Sequence, residues 1–424
     1  MRRAFTLIEL LIVIAVIAIL AVVVVLTLNP GQLILQARDS TRVQDLASLQ
    51  DAIGLYITDA AVNGTVSLGS ANTVYVSIPD PTATTTLGDQ CQGLGLLSLP
   101  TGYAYHCAAS STFRMNDSTG WIPINFKSMS QGGVLGQLPQ DPVNSSSSRT
   151  YETYTTDGTH YEVTAALESQ KYRLGGTSDV VGTDGGTLAT VYEKGTKLGL
   201  EPLDYGDSAL VGYWPMTDGG GTSVADYSGA NNGGSFSGSP TWQTSGCKLS
   251  VCLDFPTGAN NISIPSTSSL NITKNLTITM WIKGNTLIPG GTSFHPISKW
   301  TGTTDANYVL YYCGTACGPS NAFMWYANAG GNWLNISNNS PSVSTGGWIY
   351  VAVVYTSSSG GEMYWNGIAQ GSPYGSGLLA TTSANLYLGN DNGAASTDFN
   401  MNAVRIYNRA LSAAEIQAMY NGGK

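Results

Sequence analysis

Charge is scarce in this chain. Of its 424 residues 11% are charged, and 18 Lys and Arg stand against 27 Asp and Glu, a formal net charge of −9. A protein that holds nucleic acid through its bulk surface needs basic groups to displace counterions from phosphates. This composition lacks them, so no nucleic-acid partner is expected. Histidine is scarcer still. His106, His160 and His295 are the full set, and none sits at finger spacing from a cysteine pair. The sequence has no G-x-S-x-G, no H-E-x-x-H and no phosphate-binding loop. No strand of its second half pairs two carboxylates in the way a glycosidase requires. The chain is therefore not expected to be an enzyme. Low charge does not imply disorder here, because hydrophobic residues make up 42% of the chain. The length predicts two or three folded units. The abundance of Gly, Ser, Thr, Asn and Tyr suits turn-rich β domains outside the cell.

The six cysteines fall into three close pairs along the chain: Cys91 with Cys107, Cys247 with Cys252, and Cys313 with Cys317. Spacing alone leaves the connectivity open. In an exported protein, disulfides between sequence neighbours are favoured over zinc.

The N-terminus holds the longest uncharged run. From Leu10 to Ala37 no side chain is charged. As a helix that run is about 42 Å long, more than a hydrocarbon core of about 30 Å. Arg2 and Arg3 would keep its start in the cytoplasm. A secretory signal has a shorter apolar core followed by a small-x-small cleavage site, and neither applies. An uncleaved membrane anchor is the simplest alternative. Glu9 argues against it, because a carboxylate near the start of an apolar helix is costly without a partner. Asn29, Pro30 and Gly31 should break the helix, since Pro30 removes a backbone donor. Beyond the break Val43, Leu46, Leu49, Ile53 and Ile57 form an apolar face, with Arg38, Asp39, Arg42 and Asp45 on the polar side.

Ala4-Phe5-Thr6-Leu7-Ile8-Glu9, with the apolar run behind it, resembles the class III signal of type IV prepilins and pseudopilins. The resemblance implies cleavage by a prepilin peptidase between Ala4 and Phe5 and methylation of Phe5. It also implies that Glu9 pairs with the terminal amine of a neighbouring subunit. The family usually has Gly where Ala4 stands. The subunit would sit in the inner (cytoplasmic) membrane and then self-assemble, through the pilus assembly machinery, into a helical filament on the cell surface. A turn from Leu138 to Asn144 reading L-P-Q-D-P-V-N, before an alternating strand at Tyr161–Ala165, is similar to the heads of the same family. Asp141 and Asp157 read as turn residues rather than calcium ligands.

Beyond residue 207 short alternating segments recur between Gly, Asn, Ser and Thr clusters, and they predict ten to twelve strands of an antiparallel sandwich. Val211 to Met216, Leu253-Asp-Phe255, Leu276 to Trp281, Trp348 to Ala352, Tyr364 to Gly367 and Val404 to Ile416 form an ordered set. Together they resemble laminin G-like, concanavalin A-like jelly-roll modules. That family implies glycan or protein ligands and sometimes a structural calcium. Asp226 and Asn402 are the candidate calcium ligands, the second standing where the family often has Asp. Trp300, Tyr311, Trp325, Trp333 and Tyr374 are candidates for stacking on sugar rings, whereas Trp281 and Trp348 read as structural. Ser412 to Glu415 spells a capping box for a closing helix.

The expected architecture is an α+β pilin, with a long N-terminal helix and a small antiparallel sheet, followed by an all-β jelly-roll sandwich. The boundaries are a leader at 1–4, the helix at 5–59, head and linker at 60–205, and the jelly roll at 206–424. The expected function is a type IV pilus-like subunit displaying an adhesive module. The alternatives are a type II secretion pseudopilin, a minor tip pilin, or a membrane-anchored surface lectin.

Overall fold

The computed structural model describes residues 6–83, 91–130, 132–285, 293–300, 306–313, 322–329, 332–337, 343, 346–389 and 398–424; for 23–28, 293, 306 and 332–337 the backbone alone is described. Two helices lead the chain, α1 (Leu7–Leu28) and α2 (Pro30–Asn63). Thr6 caps α1 in a reciprocal box with Glu9. The join lies at Asn29, which takes the left-handed conformation at φ 41°. Asn tolerates that region better than most residues, and Pro30 then opens α2, where its missing N–H costs nothing. Pro30 and Gly31 are both exposed.

One stripe of α2 is buried. Leu46, Leu49 and Ile53 are fully covered, while Val43 and Ile57 pack at the edge of the core. The expected polar side is only partly so. Asp39 and Arg42 are fully buried, because Arg42 pairs with Asp39 on its own helix and with Asp141 on a turn that reaches across to it.

The head sheet has five strands in the order β2-β1-β3-β4-β5: β1 (Thr73–Asp80), β2 (Ala104–Ala109), β3 (Glu152–Thr156), β4 (Tyr161–Ala166) and β5 (Val191–Gly195). It is mixed rather than antiparallel, since β1 and β2 run parallel. A parallel neighbour needs a long connection, and here residues 81–103 supply it. The disulfide Cys91–Cys107 ties that connection to β2.

Two sheets of eight strands each, among the described residues, form the second module. The first sheet, called inner below, runs β19-β18-β17-β12-β21-β10-β9, with β6 also on β21. Its strands are β6 (Leu210–Trp214), β9 (Thr241–Gln243), β10 (Cys252–Phe255), β12 (Asn275–Gly284), β17 (Ile349–Thr356), β18 (Gly360–Trp365), β19 (Ile368–Ala369) and β21 (Phe399–Tyr407). The second, outer sheet runs β16-β15-β14-β13-β20-β11-β8-β7. Its strands are β7 (Ser223–Val224), β8 (Gly234–Ser237), β11 (Asn261–Ile264), β13 (Ser293–Trp300), β14 (Ala306–Cys313), β15 (Ala322–Ala329), β16 (Asn332–Ser337) and β20 (Leu386–Gly389). Trp214, Phe255, Met280, Leu310, Trp325 and Ile406 meet between the sheets, as side chains on alternate positions must. Helix α3 (Ala413–Gly422) follows β21, capped by Ser412 and Glu415 as the sequence spells.

The segment 175–207 is not an open linker. It contains β5, and its Glu193, Glu201 and Asp204 are buried. The far face of the inner sheet packs on the head, so that Trp281, Tyr350, Ala352, Tyr364, Ala403 and Tyr407 join Leu188, Val191, Leu203 and α3 in one apolar cluster. Charges cross the same seam. Lys424 Nζ donates to the carbonyls of Val181 and Leu188 and lies 3.0 Å from Asp184 Oδ1. The Arg405 guanidinium sits 3.8 Å over the Tyr213 ring and donates to Thr187 O.

Candidate functional site

The first candidate surface is α1. Its side chains from Leu7 to Val22 are exposed, and nearly all are apolar. The helix has 22 residues, about 33 Å of rise. Over the residues whose side chains are described, no helix is long and apolar enough to cross a membrane. The uncharged sequence, however, continues through Leu28 along an unbroken helical backbone. Ala4 and Phe5 lie outside the described residues. Glu9 accepts from Thr6 N and Thr6 Oγ1, each at 2.8 Å, so its carboxylate folds back on the first turn of its own helix.

Where α2 meets the head, Arg42 gathers three carboxylates. Its Nε and Nη2 reach Asp141 at 2.5 and 3.1 Å, and Nη1 reaches Asp39 at 2.8 Å and Glu168 at 2.7 Å. Asp141 Oδ1 also accepts from Val143 N and Asn144 N, so one residue makes the turn and locks the helix. Close by, burial and Asp141 push the Asp45 carboxyl up to about 6. Asp157, the other acidic turn residue, accepts from the backbone N–H groups of Thr159 and His160 and pairs with Lys197.

The second candidate surface is the far face of the outer sheet. Three of its strands carry rings there. His295 on β13 lies 6.0 Å from Trp300 and 5.6 Å from Tyr311 on β14, centroid to centroid. Tyr311 lies 5.1 Å from Tyr326 on β15, and the two hydroxyls are 3.0 Å apart. All four side chains are half-buried. Tyr374 is 63% exposed and stands apart, beside the β18 end of the inner sheet. Trp325 is fully buried and lies 5.1 Å from Tyr308. It belongs to the sandwich core, which corrects its place among the stacking candidates. The parity of β15 turns Trp325 inward and Tyr326 outward. The Trp333 side chain is outside the described set.

The candidate calcium ligands are both engaged by the protein. Asp226 accepts from the N–H groups of Tyr213, Ser228 and Asn232 and from Ser228 Oγ. Asn402 Oδ1 accepts from Lys248 N and Leu249 N, and its Nδ2 donates to the carbonyls of Pro215 and Val251. Each ties a loop to a strand. A different acidic pair lies at the end of β12, where Asn285 Nδ2 contacts Asp254, Asp398 and Asn400 at 2.8, 2.7 and 2.6 Å. Burial, together with a hydrogen bond and like charge from Asp398, pushes Asp254 up to about 7. No group of three or more His, Cys, Asp or Glu is placed to hold a metal among the described residues. Cys247 is bridged to Cys252. Cys313 is also disulfide-bonded, and Cys317 lies outside the described residues.

Two family models match this chain. Residues 1–25 match the prokaryotic N-terminal methylation motif, and residues 256–417 match the concanavalin A-like lectin/glucanases superfamily. The chain joins a prepilin signal to a lectin-like jelly roll. The comparison with curated proteins returns no match. Similar solved structures include the binding domain of Paraclostridial Mosquitocidal Protein 1, at 16% identity and a TM-score of 0.41, over 50% of this chain and 52% of that one. Another is the ligand-binding domain of botulinum neurotoxin serotype D in complex with N-acetylneuraminic acid, at 14% and 0.41, over 50% and 51%. A third is the binding domain of botulinum neurotoxin DC in complex with rat synaptotagmin II, at 10% and 0.42, over 51% and 52%. The matched regions are about half of each neighbour. A likeness at this level carries no argument about ligands.

Proposed function

We propose that this protein is a structural subunit of a type IV pilus-like surface filament, and that its jelly roll is a non-enzymatic module for adhesion to a glycan or protein ligand. The observation that carries the reading is the methylation motif at residues 1–25, together with an apolar helix whose side chains from Leu7 to Val22 are exposed. Such a surface demands another environment. A bilayer supplies it before assembly, and the helices of other subunits supply it afterwards. Prepilin peptidase cuts between Ala4 and Phe5, and Phe5 is methylated. Glu9 then exchanges its contact with Thr6 for the terminal amine of a neighbour. In a low-dielectric core that pair sets axial register more than it adds net stability.

The head covers the inner sheet, so recognition falls to the outer sheet. The Trp300, His295, Tyr311 and Tyr326 group offers ring faces to the apolar side of a sugar.

Mass spectrometry of protein sheared from intact cells tests the assembly reading. A mature N-terminus at methylated Phe5 in that fraction supports it. The same N-terminus in cells whose sheared fraction lacks the protein points to a secretion pseudopilin, and a trace amount among abundant filaments points to a tip subunit. An intact Met1 retained in membranes replaces the reading with an anchored surface lectin.

A further inference from the structure

The seam between head and jelly roll holds a cleft of about 320 Å³, open on one side. Small-molecule sites begin at about that size. We propose that this cleft binds a monocarboxylated sugar, a uronic acid, at a site separate from the outer-sheet rings. The end of head strand β4 and the loops beside β3, β4 and β5 form one wall. The end of β21 and the start of α3 form the other.

Tyr407 and Arg173 carry the argument. Tyr407 lines the cleft and is 1% exposed, yet its hydroxyl has no hydrogen-bond partner among the described residues. A buried hydroxyl left unpaired is costly, and a ligand hydroxyl would remove that cost. Arg173 lines the same cleft and is exposed, with no hydrogen bond or ion pair to its guanidinium among the described residues. Among the described residues it is the cation of the cleft that has no partner. Arg409, by contrast, is held at 2.7 Å by both Asp207 and Glu415, so its charge is already met.

The ligand chemistry follows from this distribution. Arg173 presents a planar fork that suits one carboxylate. Asp207 and Glu415 would repel a second negative charge but accept hydrogen bonds from sugar hydroxyls. Leu174 and Leu411 add an apolar patch for the ring's C–H face. A singly acidic, polyhydroxylated ring satisfies all three demands, whereas a neutral hexose leaves Arg173 unpaired and a multiply charged anion meets the acids.

The experiment is a titration of the full chain in detergent with glucuronate, with glucose as the neutral control, followed by saturation-transfer NMR and calorimetry. Saturable glucuronate binding, at least about tenfold tighter than any glucose binding, is expected. Arg173→Gln should weaken it by about tenfold or more. Tyr407→Phe should weaken it severalfold while leaving thermal stability unchanged or raised, because the hydroxyl it removes has no partner in the free protein. Absence of saturable glucuronate binding overturns the proposal. So does equal binding of glucose, or undiminished binding by Arg173→Gln. Substituting Tyr311 and Tyr326 should leave glucuronate binding intact, so this site and the outer-sheet reading stand or fall separately.

Discussion

Replacing Arg42 tests how α2 is fastened to the head. The guanidinium is fully buried and donates to Asp39, Asp141 and Glu168. Arg42→Met fills most of the volume but strands two carboxylates that are themselves 0% and 2% exposed. Breaking a buried ion pair from one side costs about 3–5 kcal/mol, and this cluster has two such acids. The control is Arg38→Met. Arg38 meets Glu168 at 3.6 Å with 39% of its side chain exposed, so its loss costs about 0–1 kcal/mol. A third variant, Arg42→Met with Asp39→Asn and Asp141→Asn, separates charge from geometry. Amide oxygens can still accept from Glu168 N, Ser169 N, Val143 N and Asn144 N, while the stranded charges disappear. Urea unfolding of the full chain in detergent reads all three. The single Arg42 variant should lower the midpoint strongly at unchanged slope, and the triple variant should recover much of the loss. An Arg42→Met unfolding free energy within about 1 kcal/mol of the Arg38 control would refute the reasoning, as would a triple variant worse than the single one.

Four further outcomes are expected. Trp325→Ala should cost about 3–5 kcal/mol in equilibrium unfolding, whereas Tyr374→Ala should leave stability nearly unchanged, since that ring is 63% exposed. Cys107→Ser opens the Cys91–Cys107 bridge, whose ends are 16 residues apart, and should cost about 3 kcal/mol by loop entropy, seen as a lower urea midpoint. Asp254 has a folded-state value raised from 3.8 to about 7, so its contribution is present below pH 4 and is lost as pH rises toward 7; Asp254→Asn should flatten that fall, read from melting temperatures between pH 4 and 8. Lys424→Met leaves Asp184 and Glu193 buried without their cation, and faster proteolysis at the seam is the expected sign.

Much of the fold was legible because periodicity reports burial. The segments at Tyr161, Val211, Leu276 and Trp348 mark strands, and the capping box at Ser412 names a helix start outright. The parallel pairing of β1 with β2 was not legible, because alternation carries no strand direction. Arg42 was misplaced for a related reason. Helical spacing put it near the polar side, and the carboxylate that buries it lies 99 positions away. Parity likewise shows that Trp325 and Tyr326 face opposite ways, but not which way is inward. The outer-sheet cluster needs β13, β14 and β15 in register, and His295 and Tyr326 carry no signal alone. The cleft at the seam is less legible still, since Arg173 and Tyr407 come from different modules.

The scarcity of charge takes on a meaning once the buried charges are located. Arg42, Lys299, Arg405 and Lys424 are all at most 1% exposed, an unusual use of cations in a chain with so few. Arg42 fixes the helix to the head. Arg405 and Lys424 fix the head to the jelly roll, the first by donating to Thr187 O and the second between Val181, Asp184 and Leu188. Desolvating such groups offsets most of their attraction, so they add little net stability, and misplacing them is costly. An apolar seam alone tolerates small slips and rotations, but a seam threaded with buried cations has one register. The jelly roll is then held at one orientation to α2. In a helical filament every copy would turn its outer sheet the same way relative to the axis, and a pull on that sheet would pass through β21 and α3 into the head rather than into a flexible tether.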